Sequence, residues 1–318
     1  MIKLHSKKKY RGIKLTVCVA SIYEGSAIIG AADRMITAGH IQYQPSTSKI
    51  WKITNSVAVM FAGDIQTQKV VYNSVYGVIK EKIEKNPSQW IRVKETAEIY
   101  SQKYLEEKSR SAERRILLPF GLTLESFIFK QKEMSESFVS EISDKILRFN
   151  YPDIETLIIG CDEFGPHIFS VDNDEVICHD SIGFAARGIG MAHAESHLMS
   201  NGYSPGFDAS HALLYTHRAK RISEAAPGVG KETDIINIGP ALGTTLFLPS
   251  DLISVLDDIY EKYKESIIQS DGLNFDVLGS RLKLYAESKI KEISKSQIIS
   301  SNIDDQKTDS SISSKPQT

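Results

Sequence analysis

The chain has 318 residues, a formal net charge of -2 and a pI near 6.5, so it can bury a sizeable core and offers no charge excess for nucleic acid or membrane surfaces. It contains no apolar run of the roughly eighteen residues a membrane helix needs, and its start lacks the apolar centre of a secretory signal. Cys18, Cys161 and Cys178 form no CxxC pair, which suits a reducing compartment, and a cytoplasmic protein without metal or cofactor is expected.

In chain order, residues 1–15 (MIKLHSKKKYRGIKL) hold six lysines and arginines and form a basic leader, read either as a removable propeptide or as a frayed solvated arm. Thr16–Tyr23 and Ser26–Ala32 are apolar runs around Glu24-Gly25, the pattern of a buried hairpin, and Asp33 ends its second strand. Ile50–Ile53 and Val57–Ala62 make a second hairpin around Thr54-Asn55-Ser56, with Lys49 at a strand entrance and Gly63 at a strand exit. Helices are expected over Asp64–Lys85 and Trp90–Glu113. Leu117–Asp153 reads as an insertion carrying one helix from about Glu125 to Phe149, with Phe138, Ile142, Ile146 and Phe149 on its buried face. Glu155–Val176 is a strand pair hinged at Asp162-Glu163-Phe164-Gly165. A strand then runs through Gly188-Ile189-Gly190 into a helix, a longer helix covers Asp208–Ala226, and Pro227–Gly239 returns as a strand. Helices within Ser250–Ser296 complete a domain spanning 16–295, and the Ser-, Asp-, Lys- and Gln-rich residues 296–318 are expected to be disordered.

The order GAAD, then Lys49, then FAG, with TVCVA at the start, resembles the proteasome family within the N-terminal-nucleophile hydrolases. It is similar both to proteasome β-type subunits and to bacterial proteasome-like subunits. IIGCDEFGPHIFSVD is similar to the hairpin of the same family, and the resemblance covers roughly Lys14 to Pro249. It implies an α+β fold, the four-layer αββα sandwich of two mainly antiparallel sheets covered outside by helices. It also implies that Thr16 becomes the nucleophile once the residues before it are removed, that Lys49 tunes it, that Asp33 orients Lys49, and that the Gly63 amide helps form an oxyanion hole.

The residue types suit that chemistry. A threonine hydroxyl needs a base within hydrogen-bond reach. A free α-amine titrates near ~8, whereas an unperturbed lysine near ~10.4 stays protonated, so the amine is the better base. A cationic lysine beside the amine disfavours its protonated form, and a buried lysine needs a counter-charge such as Asp33.

The chain also departs from the family pattern. Leu15 stands where active subunits carry glycine, one extra residue separates Thr16 from Asp33 and calls for a bulge in the strand or turn, Ile189 occupies the position of a supporting serine, and the later supporting aspartate falls near Ala226 or is missing. Three functions compete: a threonine peptidase in a homo-oligomeric ring acting on unfolded polypeptide, with or without an ATPase regulator; a silent ring-forming scaffold; or a stand-alone amidase on a small amide. Two competing site readings are weaker. His193 and His197 have i,i+4 spacing with Glu195 between them, but Ala194 stands where a zincin carries glutamate, so these and His211 and His217 read as satisfied helical histidines. Cys18 shares a strand face with Thr16 and reads as a buried structural thiol.

Overall fold

The computed structural model describes residues 16–38, 41–43 and 48–267; the leader, residues 268–295 and the tail lie outside the described residues. The chain divides into two compact units, Met1–Leu256 and Asp257–Thr318, the second described over 257–267, which are helical.

Two hairpins open the first unit. β1 (Cys18–Tyr23) and β2 (Ala27–Asp33) pair antiparallel without interruption from Cys18 opposite Ala32 to Tyr23 opposite Ala27. Of the two places expected for a bulge, the strands carry none, which leaves the turn. The three-residue turn Glu24-Gly25-Ser26 closes the hairpin, with Glu24 and Gly25 both left-handed at φ 50° and 59°. A short pair, β3 (Ile36–Ala38) and β4 (Ile41–Tyr43), precedes the second hairpin, β5 (Ile50–Lys52) and β6 (Val57–Gly63).

Two helices come next. α1 (Ile65–Lys85) is capped by Asp64, whose carboxylate accepts from the Thr67 amide at 2.8 Å, and it buries Val71, Val75 and Ile79 at i,i+4 spacing. α2 (Val93–Ala112) has no side-chain cap of its own from Arg92; instead Asp162 accepts from the Val93 amide at 3.0 Å.

The insertion differs from expectation. It is not one helix but α3 (Leu124–Lys130), a 3₁₀ turn over Gln131–Glu133, and α4 (Glu136–Leu147). Ser135 is the reason: its hydroxyl accepts from the Phe138 amide and restarts the chain as a capped helix, which the apolar periodicity alone does not reveal. The apolar face is still used. Ile142 joins Leu117 and Phe127 in a small separate core, with Phe138 and Ile146 packed against it, whereas Phe149 lies beyond the helix and stacks on Tyr151.

The chain then returns through β7 (Ile154–Asp162), β8 (Gly165–Asp172), β9 (Glu175–Cys178), β10 (Phe184–Arg187), α5 (Met191–Ser200), α6 (Ala209–Ile222), β11 (Thr233–Ile238) and β12 (Thr245–Phe247). The result is a mixed α+β fold with two five-stranded antiparallel sheets. Their orders are β10-β1-β2-β11-β12 and β5-β6-β7-β8-β9.

The period of two along each strand assigns its faces. In β1, Cys18, Ala20 and Ile22 join Met60, Leu157 and Ile159 of the other sheet in one core, while Val19 and Tyr23 pack in a second with Leu198, Ala212 and Ala219 of α5 and α6. In β6, Ala58 and Met60 face the first sheet, and Val57, Val59 and Phe61 face Val71, Val75, Tyr100 and Tyr104 of α1 and α2. β6 is apolar throughout, and β1 is so apart from Ser21, because both faces of each are covered. Gly30 in β2 permits the close approach of the sheets: a Cβ there would stand 2.8 Å from Met60 Sδ and 3.0 Å from Ile159 Cδ1.

A polar clasp joins the β7–β8 hairpin to the turn that Asp180 opens beyond β9. His167 Nδ1 lies 2.6 Å from Asp180 and Nε2 lies 3.2 Å from Asp162, and these hydrogen-bonded carboxylates raise its pKa against the opposing effect of burial. The folded pKa therefore sits above the unfolded one. The stability this contributes is complete below about pH 6.5 and is lost as pH rises through the raised value. Thermal melts of the protein and of His167→Gln, taken between pH 5.5 and 8.5, should show the substitution costing most at the acid end; an equal cost at all pH values would remove the charge from the explanation.

Candidate active site

Both sheets contribute to one cluster at the ends of their strands. Thr16 immediately precedes β1 and Asp33 closes β2, so the first sheet supplies both, and Lys49 stands one residue before β5 at the edge of the second. By strand parity Thr16 lies on the Cys18 side, toward the other sheet, which is where Lys49 arrives.

The Thr16 hydroxyl donates to Asp33 Oδ1, and the Lys49 ammonium donates to Thr16 Oγ1 and, at 3.0 Å, to Asp33 Oδ1. All three are buried, at 2%, 0% and 5% exposure for Thr16, Asp33 and Lys49. A carboxylate so far from water needs donors, and Asp33 has them: beyond Thr16 and Lys49, the amide of Val17 reaches Oδ1 at 2.9 Å and those of Met35 and Gly230 reach Oδ2 at 2.9 and 3.0 Å.

The backbone around Thr16 is tightly fitted. Its carbonyl accepts from the Gly190 amide at 3.3 Å, and a Cβ on Gly188 would fall 2.3 Å from that oxygen. Gly188 is held at φ 100° with its amide on Glu155 at 2.9 Å, so the Gly188-Ile189-Gly190 stretch is the part of the chain that seats Thr16. Ile189 projects partly into solvent at 38% exposure and brings no hydroxyl. Ser223, also buried, donates to the Gly190 carbonyl at 3.0 Å.

Gly63 ends β6, left-handed at φ 98°, two residues beyond Phe61. Phe61 links the pieces: its amide donates to the Lys49 carbonyl at 3.3 Å and its carbonyl accepts from the Cys18 thiol at 3.5 Å. Burial pushes the Cys18 thiol far above its ordinary range, and the nearby Lys49 charge offsets this only in part, so Cys18 is no competing nucleophile. Ala226 is buried near the end of the turn after α6 and provides no carboxylate.

Neither a protein-family model nor a curated protein matches the chain.

Thr16, Asp33 and Lys49 thus stand together on their own geometry, whereas Gly63 is placed only at the end of β6, beside the Asp153–Glu155 backbone. What the arrangement can do chemically is hold a hydroxyl between a cation and an anion, shielded from water, with the cation positioned to stabilise negative charge on the oxygen. The histidines take no part: His197 and His217 are buried in α5 and α6, His211 pairs with Asp208 at 2.7 Å, and among the described residues no group of three or more His, Cys, Asp or Glu side chains is arranged to hold a metal ion.

Sequence reasoning missed a second layer. Lys220 on α6 is fully buried, with Nζ 2.8 Å from Glu224 and 2.6 Å from the Lys231 carbonyl. Its position near the basic end of an amphipathic helix reads as solvated, and only the fold places it beside the loop that supports Asp33. Gly230 was equally hidden: its contact with Asp33 spans 197 positions.

Proposed function

We propose that this chain is a threonine peptidase of the N-terminal-nucleophile type, that its two sheets with their helical covers form the four-layer αββα sandwich, and that it works in a homo-oligomeric ring on unfolded polypeptide. The observation that carries the proposal is the buried contact of Thr16 Oγ1 with both Asp33 and Lys49, assembled from three separated strand ends.

In the intact chain the nitrogen of Thr16 belongs to an amide and cannot act as a base. Cleavage of the Leu15-Thr16 bond frees the α-amine. That amine then takes the Thr16 hydroxyl proton as Oγ1 attacks the scissile carbonyl carbon, and the resulting oxyanion is stabilised by a backbone amide, assigned to Gly63. Collapse of the intermediate breaks the C–N bond, with the amine passing its proton to the departing peptide nitrogen. Water, deprotonated by the same amine, then cleaves the ester at Thr16 and returns the hydroxyl. Lys49 keeps the amine unprotonated between these steps by charge repulsion, and Asp33 holds Lys49 in place.

A second reading, a ring-forming scaffold with a silent site, draws support from Ile189, which offers no hydroxyl beside Thr16, and from Leu15 at the bond to be cut. Intact mass separates the two. The peptidase reading expects loss of residues 1–15 and hydrolysis of fluorogenic peptides, with Leu15→Gly accelerating the cleavage. A chain that stays whole in both forms, and hydrolyses no peptide even when Thr16 is freed by an engineered cut, leaves the scaffold. Light scattering reports the ring: particles of single 35.4 kDa chains at micromolar concentration exclude it and return the stand-alone amidase.

A further inference from the structure

We infer that Lys220 is a positioning residue of the Thr16 site, which it serves by fastening the 230–231 loop so that the Gly230 amide holds Asp33; the inference rests on the peptidase reading for its effect on turnover but not for the contact itself.

The chain of contacts is short. Lys220 Nζ donates to the Lys231 carbonyl at 2.6 Å, the Gly230 amide next to it donates to Asp33 Oδ2 at 3.0 Å, and Asp33 Oδ1 receives both Thr16 and Lys49. The backbone at Gly230 passes close to its neighbours: a Cβ there would stand 2.9 Å from Met35 Cβ and 3.2 Å from Asp33 Oδ2. Lys220 is completely buried, and an ammonium in such a place is strongly unfavourable unless it is paired. It is paired with Glu224 at 2.8 Å, which Arg221 also approaches at 3.3 Å. Burial lowers the Lys220 pKa, and the neighbouring Glu224 carboxylate opposes that shift. Through its bond to the carbonyl next to Gly230, Lys220 is placed to fix the carboxylate that contacts Lys49. Misplacing a catalytic group by an ångström can cost about 10²-fold in rate.

The test compares the full chain with Lys220→Met, whose side chain keeps most of the volume and loses the charge and the donors. Hydrogen–deuterium exchange read by mass spectrometry should show the 228–232 segment exchanging at least about tenfold faster in the variant, with α6 over residues 209–216 and the β1–β2 hairpin unchanged. On the processed chain kcat should fall about tenfold with KM within about twofold. If Lys220→Met does not fold, Glu224→Gln, which leaves the lysine and removes its counter-charge, should loosen the same segment to a smaller degree. Unchanged exchange at 228–232, loosening spread evenly over α6 and the sheet, or a loosened loop with full kcat would each overturn the proposal. A loosened loop in a protein whose unsubstituted, processed form cleaves nothing would uphold the tether and reject the peptidase reading.

Discussion

Lys49→Ala in the processed chain should lower kcat by roughly 10²–10⁴-fold, the range expected for a positioned acid–base group, with little change in KM. Thr16→Ala should take hydrolysis to background, because no other nucleophile occupies the cluster: Cys18 is a buried thiol with its pKa driven up. Thr16→Ser keeps the hydroxyl and the amine and should retain part of the rate. The Lys49 effect arises from geometry, since its ammonium contacts both the hydroxyl and the carboxylate. Progress curves on a fluorogenic peptide measure all three variants. Lys49→Ala within about threefold of the parent would show that the ammonium does not tune the site.

The largest loss of stability should come from Asp33→Ala. The substitution leaves the Thr16 hydroxyl, the Lys49 ammonium and the amides of Val17, Met35 and Gly230 without their acceptor. Removing one partner of a buried ion pair costs about 3–5 kcal/mol, which for a domain of this size lowers the melting temperature by roughly 6–20 °C. Lys49→Met combined with Asp33→Leu removes both charges and should cost less than the sum of the single changes. Additive losses would mean that the two side chains do not act as a pair.

Much of the fold and of the site is legible in the sequence. The hairpins can be read because their strands are apolar on both faces and interrupted by Glu24-Gly25 and Thr54-Asn55-Ser56, so local pattern alone places the ends that carry Thr16, Asp33, Lys49 and Gly63. The hinge at Asp162–Gly165 appears as a two-residue turn with Asp162 opposite Gly165. What escapes depends on contacts remote in sequence or on single side chains. The break between α3 and α4 turns on one hydroxyl, that of Ser135, and an apolar period of 3.6 passes straight through it. The support beneath Asp33 comes from Gly230 and Lys220, whose residue types suggest only a loop and a solvated helix end. β12, three residues long and largely exposed, has too little pattern to be distinguished from a loop.

The packing at Gly30 bears on the Thr16 cluster as well as on the fold. Thr16 and Asp33 ride on one sheet and Lys49 and Gly63 on the other, and the layer where Met60 and Ile159 lie against Gly30 separates the two. The two sheets act as the jaws of a calliper, and the core between them is its stop. An added methyl at Gly30 would have to displace Met60 Sδ and Ile159 Cδ1, which is the route by which a change in the core would reach the gap between Thr16 and Lys49.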